Sequence, residues 1–421
     1  MEGVWNRLKK DYFSSRMREN MKGTEREPIL TGVRVLDLSR FLAGPICGMI
    51  LADMGADVIR VEPPGGLGDR KWGILGPDGE TLTYKSLGRN KKSITLNLSH
   101  QQGIRILYEL MGHSDVVVHN FPPGTTLEAE LRFEKLSKSF PSIVLAVISG
   151  YGLSGPHSQD VCFDFVAQAR AGAMVLNGFP GDPPLKTTVP YIDCCSGIAA
   201  ALGISLALYH KLKTGKGQLV DTALFDIGSF ITQSAGALLY YKVYGEIRKQ
   251  FGNFGFASFM TCVQAKDGWV MVVAASDEVW ERFARAIGKE ELSKDPRFIN
   301  DMYRSLNSHL INPVIQEWAS KKNTDEIIET LKVARVGCAK VNSVDQLLND
   351  PQSIAREMVV NVEYPFLGEI SIAGIPIKLS PNSGQIRTLA PKIGEQNKEI
   401  YCSLLGYKSH DYKRLQEEGI I

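Results

Sequence analysis

Cysteine is scarce in this chain and badly spaced for cross-linking. The 421 residues hold seven cysteines and no C-x-x-C pair. That excludes a disulfide framework and a finger-type zinc site, and it fits a reducing compartment, so a cytoplasmic location is expected. Charge of one sign is also missing. Forty-eight Lys and Arg oppose 46 Asp and Glu, a net of +2, which argues against a dedicated nucleic-acid binder. No uninterrupted apolar run reaches the roughly 18 residues of a membrane span. The longest, residues 197–209, has 13 and reads as a buried helix. There is no Walker A loop, no H-E-x-x-H, no G-x-S-x-G and no metal-spaced His/Cys cluster, and the histidines are isolated from one another. The first 20 residues mix acids with bases around no apolar segment, so a secretory signal is not expected. Residues 1–30 read as an N-terminal arm.

What is present is an ordinary globular composition, 44% hydrophobic and 22% charged, long enough for two or three domains. An α/β pattern begins near residue 32. Residues 33–38 (VRVLDL) read as a strand, 46–54 as a helix and 57–62 (DVIRVE) as a second strand, which is a βαβ unit. Residues 93–98, 115–119 and 143–149 read as further strands, and 101–112 as an amphipathic helix. The fold class expected is α/β, a Rossmann-like doubly wound parallel sheet with helices on both faces. Long apolar helices follow at 163–176, 196–213 and 225–244, with a strand at 218–224. The expected division is a large domain over 31–225, a linker helix over 226–249, a smaller α+β domain over 250–345 and a C-terminal segment over 346–421. The last two would hold strands at 269–275, 359–364, 369–372 and 375–379, and helices at 277–287, 325–334 and 394–405.

Four places carry candidate chemistry. Ala43-Gly44-Pro45-Ile46-Cys47-Gly48 lies between strand and helix, where backbone N–H groups can approach a phosphate. Pro45 breaks the G-x-G-x-x-G spacing of a nicotinamide site, and the alternative is a tight turn with Pro at the helix start. Arg89-Asn90-Lys91-Lys92 can hold a phosphate, or can be merely a solvated loop. Asp193, among small and apolar neighbours at the start of a long helix, reads as a helix cap or as a poorly solvated carboxylate nucleophile. Phe163-Asp164 also reads as a helix start. Cys194 and Cys195 read as small core residues.

Taken together, GVRVLDLSRFLAGPICGMILADMGADVIRVEPPGG, GRNKKSITLNL, DVVVHNFPPG, SGYGLSGP, FDFVAQARAG and DCCSGIAAALGISLALYHKLKTGKGQLVD, with KDGWV and APKIGE, resemble the class III CoA-transferases over residues 32–396. The formyl-CoA, carnitine and bile-acid-inducible CoA-transferases are of this family. The resemblance implies a homodimer of two interlocked rings in which the C-terminal segment returns to the large domain. It implies coenzyme A and acyl-CoA as substrates, a carboxylic acid as acceptor, and no permanently bound cofactor, metal, membrane or nucleic acid. By position, Arg40, Phe41, Leu42 and Ala43 match the loop lining the CoA site. Arg60 falls near the adenosine, and Leu96, Asn120 and Phe121 near the nucleotide and pantetheine. Asp193 matches the nucleophile that forms aspartyl anhydride and aspartyl-CoA thioester intermediates. An Arg that often reaches the CoA phosphate is replaced at about Glu128, so Arg89 or Lys92 is expected to serve instead. Related α-methylacyl-CoA racemases need a His/Asp pair, with the His just before the Asp of a G-H-D motif. Here that position is Phe163, which disfavours a racemase or epimerase, the alternative reading. A non-catalytic CoA-binding protein is a third reading, and an NAD-dependent oxidoreductase a fourth. Phe254, Phe256, Phe259 and Met260 read either as part of a lid or as packing at a domain boundary.

Overall fold

The computed structural model describes residues 27–421 apart from residue 257; most of the expected N-terminal arm lies outside it. Six strands form one sheet: β1 Arg34–Asp37, β2 Asp57–Glu62, β3 Lys91–Thr95, β4 Val116–His119, β5 Val144–Ser149 and β6 Leu219–Ala223. Their order is β3-β2-β1-β4-β5-β6 and every neighbouring pair is parallel. This is the doubly wound order of a Rossmann fold.

The alternation of side chains explains why helices must cover both faces. Val35, Val58, Val116, Val118, Val144 and Ala146 point to one face and Leu36, Ile59, Val117, Leu145 and Val147 to the other, all buried. The first face is covered by α1 (Ala43–Asp53) and, later in the chain, α4 (Tyr191–Thr214). The second is covered by α2 (Gln101–Gly112) and the C-terminal residues Ile400, Tyr401 and Leu415. Between α2 and α4 lies α3 (Asp164–Arg170); α5 (Leu224–Ser234) and α6 (Ala237–Tyr244) follow β6. Helices α1 and α4 meet closely. A Cβ on Gly197 would stand 2.6 Å from the Ala43 carbonyl oxygen and 2.7 Å from Ile46, so only glycine fits there.

Residues 260–340 build a second sheet, β7 (Met260–Gln264), β8 (Trp269–Val273) and β9 (Gly337–Lys340), over their own core around Trp280, Phe283, Ile311 and Ile327. Strands β10 (Val359–Tyr364) and β11 (Gly368–Ala373) form an antiparallel hairpin. The chain then runs back to the large sheet. Asn90 N–H donates to Thr388 O, Gln396 N–H to Ser93 O, and the Tyr401 hydroxyl to Thr95 O at 2.6 Å.

Several expected elements differ. The helix expected over 163–176 is broken, because Gly172 takes φ 79° between α3 and a short turn of helix. The helix expected over 225–244 breaks at Gly236 for the same reason. Residues 375–379 form no strand; Pro376 interrupts the run, and β11 has only β10 beside it. Helix α4 starts five residues earlier than expected and is 24 residues long. With that extension it is long and apolar enough to cross a membrane by length and composition, although no uninterrupted run suggested it. Ile192, Ala200, Ile204 and Leu208 on it are buried in the core.

Candidate active site

The strand order reverses between β1 and β4, so the loops leaving their carboxyl ends part and open a crevice. A cavity of about 460 Å3 lies there. Arg40, Phe41, Leu42 and Ala43 line it from the loop after β1, and His119, Asn120 and Phe121 from the end of β4. Asp193 reaches it from the first turn of α4, and Cys162 and Phe163 from the residues before α3. Seven residues that the resemblance assigned to the CoA site or the nucleophile therefore converge: Arg40, Phe41, Leu42, Ala43, Asn120, Phe121 and Asp193.

The loop after β1 is clamped. Asn120 Oδ1 accepts from Arg40 N–H at 3.0 Å while Asn120 Nδ2 donates to Arg40 O at 2.8 Å. Asp69 Oδ2 accepts from Phe41 N–H at 3.1 Å. Phe41 needs that hold, because it sits at φ 69°, a left-handed conformation costly for a residue with a Cβ. Arg60 acts on the loop only through Asp69, to which its guanidinium donates at 2.6 and 2.9 Å. Arg60 is buried beside Glu62, outside the main cavity. Burial alone would raise the Glu62 carboxyl, but Arg70 and Arg60 outweigh it and hold Glu62 at about 2.

The other expected basic contacts are elsewhere, and topology gives the reason. Arg89 and Lys92 precede or begin β3, at the amino end of a parallel sheet whose carboxyl ends bear the cavity. Arg89 is buried, pairs with Asp53 at 2.7 Å and donates to Ala373 O at 2.5 Å. Lys92 pairs with Asp57 at 2.9 Å and Glu399 at 2.8 Å. Lys91 pairs with buried Asp37 at 2.8 Å. The basic run is neither a solvated loop nor a phosphate site here; its ion pairs lie mostly within the large domain, and Lys92–Glu399 with the Arg89 bond to Ala373 O reaches the C-terminal segment. Leu96 is buried in the core of the second face. Phe259 is buried in the core of the smaller sheet, and Phe254, Phe256 and Met260 are also absent from the cavity wall.

Asp193 is not the cap of its helix. Pro190 holds that position, and Asp164, the first residue of α3, does the capping from outside. Its Oδ2 accepts from Asp193 N–H at 2.9 Å. Gln168 Nε2 donates to Asp164 Oδ1 at 2.5 Å and to Thr187 at 3.0 Å, which fixes the buried carboxylate. The arrangement frees the Asp193 carboxyl from capping. Burial pushes its pKa up, and the Asp164 charge pushes the same way, to about 7 from an ordinary 3.8. A carboxylate raised in this way has the basicity to act as a base or as an oxygen nucleophile.

Three features of the site were not legible beforehand. Asp164 looked like one more helix start; its partner lies 29 residues away. His119 is buried at the end of β4, where burial pulls its pKa down to about 4 against the opposing pull of Glu128. Its Nδ1 accepts from Phe121 N–H at 3.4 Å, so the neutral ring carries its proton on Nε2. Arg132 lines the cavity and pairs with Glu128 at 3.2 Å; the i, i+4 spacing of the two was its only sequence signal.

In a Rossmann-type sheet the crevice at the switch point is where ligands bind, and here a half-buried carboxyl faces it. The sequence pattern of CoA-transferase family III matches residues 30–397, and the chain belongs to that family. It is thereby a class III CoA-transferase. It is 34% identical to the succinyl-CoA–D-citramalate CoA-transferase of Chloroflexus aurantiacus over 93% of this chain and 98% of the relative. It is 32% identical to a formyl-CoA:oxalate CoA-transferase of Streptomyces coelicolor, over 93% and 99%. Among solved structures, a CAIB/BAIF family protein from Brucella suis superposes with a TM-score of 0.79 at 29% identity, covering 90% of this chain and all of that one.

Proposed function

We propose that this protein transfers coenzyme A from an acyl-CoA to a carboxylic acid acceptor with Asp193 as covalent nucleophile. The observation that carries this is the Asp193 carboxyl, raised to about 7 and facing the switch-point cavity. Its oxygen attacks the thioester carbonyl, the C–S bond breaks and CoA thiolate leaves, giving an acyl-aspartyl anhydride. The thiolate attacks the aspartyl carbonyl of that anhydride and releases the donor acid, leaving an aspartyl-CoA thioester. The acceptor carboxylate attacks this thioester and expels thiolate, which then takes the acceptor acyl group and restores Asp193. No net proton is consumed, and one thioester replaces another. Excluding water keeps both anhydrides from hydrolysis. The relatives' names, which pair succinyl-CoA with D-citramalate and formyl-CoA with oxalate, support transfer between carboxylic acids.

Arg40, Phe41, Leu42, Ala43, Asn120 and Phe121 then hold the CoA moiety. Arg40 and Arg132 are the guanidinium groups in the cavity wall, and we assign the phosphates to them rather than to Arg89 or Lys92. We further propose a cytoplasmic homodimer. Ile198, Leu202, Leu206, Tyr209 and Leu212 leave one stripe of α4 exposed, a surface suited to a second copy. All seven thiols are unpaired, as in a reducing compartment.

The test is mass spectrometry of the protein incubated with a panel of acyl-CoAs and quenched with hydroxylamine. A hydroxamate on Asp193, absent from Asp193→Ala, is expected. An unmodified wild-type protein that still binds CoA would overturn the nucleophile assignment.

A further inference from the structure

The cavity is not confined to one face of the sheet. Ala43, Ile148 and Leu224 in its wall belong to the core of the first face, the side on which α4 presents Asp193. Leu131, Leu145 and Val147, also in its wall, belong to the core of the second face, and Phe121 and Phe133 pack against that core. The cavity therefore crosses the carboxyl edge of β4 and β5 and joins the reacting carboxyl to an apolar slot behind the sheet. His119 stands in that slot. It is the register partner of Val147 and, two residues after Val117, points to the second face. The side chain is 2% exposed, and its ring stacks on Phe121, centroids 5.3 Å apart at 24°. Nδ1 is occupied by Phe121 N–H, but the Nε2–H has no partner among the described residues. Nor is Nε2 sealed from solvent, so it opens on the cavity.

A donor held in a mostly apolar slot gains when a ligand accepts from it. A phosphate oxygen suits it poorly. The ring is neutral, since burial holds its pKa at about 4, and the acids Glu128 and Glu134 are in the same stretch of wall. CoA carries one group that is flat, neutral, apolar on both faces, and edged with nitrogen acceptors and with an amine that can donate to a carboxylate: the adenine. We infer that His119 is the residue that recognises the adenine of CoA, its Nε2–H donating to a ring nitrogen while the base lies among Phe121, Phe133 and Val147. Aromatic and apolar faces beside the base add to the hydrogen bond. The inference rests on the reading above, that this cavity takes CoA, and it orients the substrate, with the nucleotide at the second face and the thioester at Asp193. Arg132, between Leu131 and Phe133 in the chain and with its side chain 61% exposed, is then placed to meet a phosphate of the same nucleotide.

The experiment is a calorimetric titration of adenosine 3′,5′-bisphosphate and of ribose 3,5-bisphosphate, which has the phosphates without the base, into wild type, His119→Asn and His119→Gln. Asparagine keeps an acceptor where Nδ1 stands and has no donor at Nε2. Glutamine keeps a donor near Nε2 and gives up the Phe121 bond. The wild type should bind the adenosine compound roughly tenfold or more tighter than the ribose compound. In His119→Asn that ratio should fall roughly three- to tenfold, and His119→Gln should recover most of it. The reverse order, with the asparagine variant like wild type and the glutamine variant impaired, would mean that the ring acts only by holding Phe121, and would overturn the inference. So would a ratio unchanged in both variants, or a wild type that does not distinguish the two ligands. Labelling of Asp193 by acyl-CoA separates this inference from the transferase reading. If labelling persists while the base goes unrecognised, only the role of His119 falls; if the base is recognised without labelling, the nucleophile assignment falls.

Discussion

Two aspartates within one hydrogen-bonded contact do different work. Asp164 stays on the backbone of α4, and its charge helps keep the proton on Asp193. The sign of the pH dependence follows. The unfolded carboxyl titrates at its ordinary 3.8 and the folded one at about 7, so the folded protein holds the proton more tightly. Stability assignable to Asp193 is greatest below pH 4 and declines until pH 7. Asp193→Asn should therefore raise the melting temperature more at pH 8 than at pH 5, as scanning calorimetry at the two pH values can show. Activity runs the other way, because attack needs the ionised form. In the wild type, kcat/KM for acyl-CoA should climb through a midpoint near 7 and level off above it. Asp164→Asn removes the like charge and should move that midpoint lower while reducing stability by about 1–3 kcal/mol, because one of its buried hydrogen bonds is lost. A midpoint that stays in place in Asp164→Asn would count against the coupling.

At the scale of elements, the Arg89–Lys92 run illustrates what sequence can and cannot disclose. Three cations in four residues announce anions nearby, and anions are there: Asp53, Asp37, Asp57 and Glu399. The type of partner was legible; its identity was not, because Asp53 lies 36 residues from Arg89 and Glu399 some 300 residues from Lys92. Arg40 to Ala43 and Asn120-Phe121 were legible through the family resemblance, which matches them by position, and both stretches line the cavity. The edge-to-face contacts of Phe41 with Trp72 and Phe163 were not legible, because nothing local joins these residues. Arg89→Ala leaves Asp53 buried and uncompensated and should cost roughly 3–5 kcal/mol in urea unfolding. Lys92→Ala, at a half-exposed pair, should leave the KM for acyl-CoA within about twofold. A large rise in that KM would restore the phosphate assignment.

For the whole molecule, the βαβ unit and short continuous apolar β runs sufficed to anticipate a doubly wound sheet, because each strand must bury both faces. The helices were harder. Gly172 and Gly236 split expected helices through φ values that apolar pattern does not encode. Leu238, Leu239 and Tyr241 of α6 are exposed apolar side chains as well. Such an area on a lone chain favours association, and the protein should run near 93 kDa in light scattering, twice its 46.4 kDa. Leu202→Glu combined with Leu206→Glu should halve that mass and abolish transfer. An undiminished mass would place the subunit contact elsewhere.

The return of the C-terminal segment to β3 has a consequence for biosynthesis. β3 is an edge strand, and its outer side is met by Gln396, Asn397 and, just beyond the strand, Ile420. A ribosome adding about 5–20 residues per second needs roughly 15–60 s to make the 300 or so residues that separate the strand from its cover. For that interval the nascent sheet presents an unpaired edge to every neighbouring chain on the same message. The rate of elongation thus sets how long the half-made protein is open to mispairing.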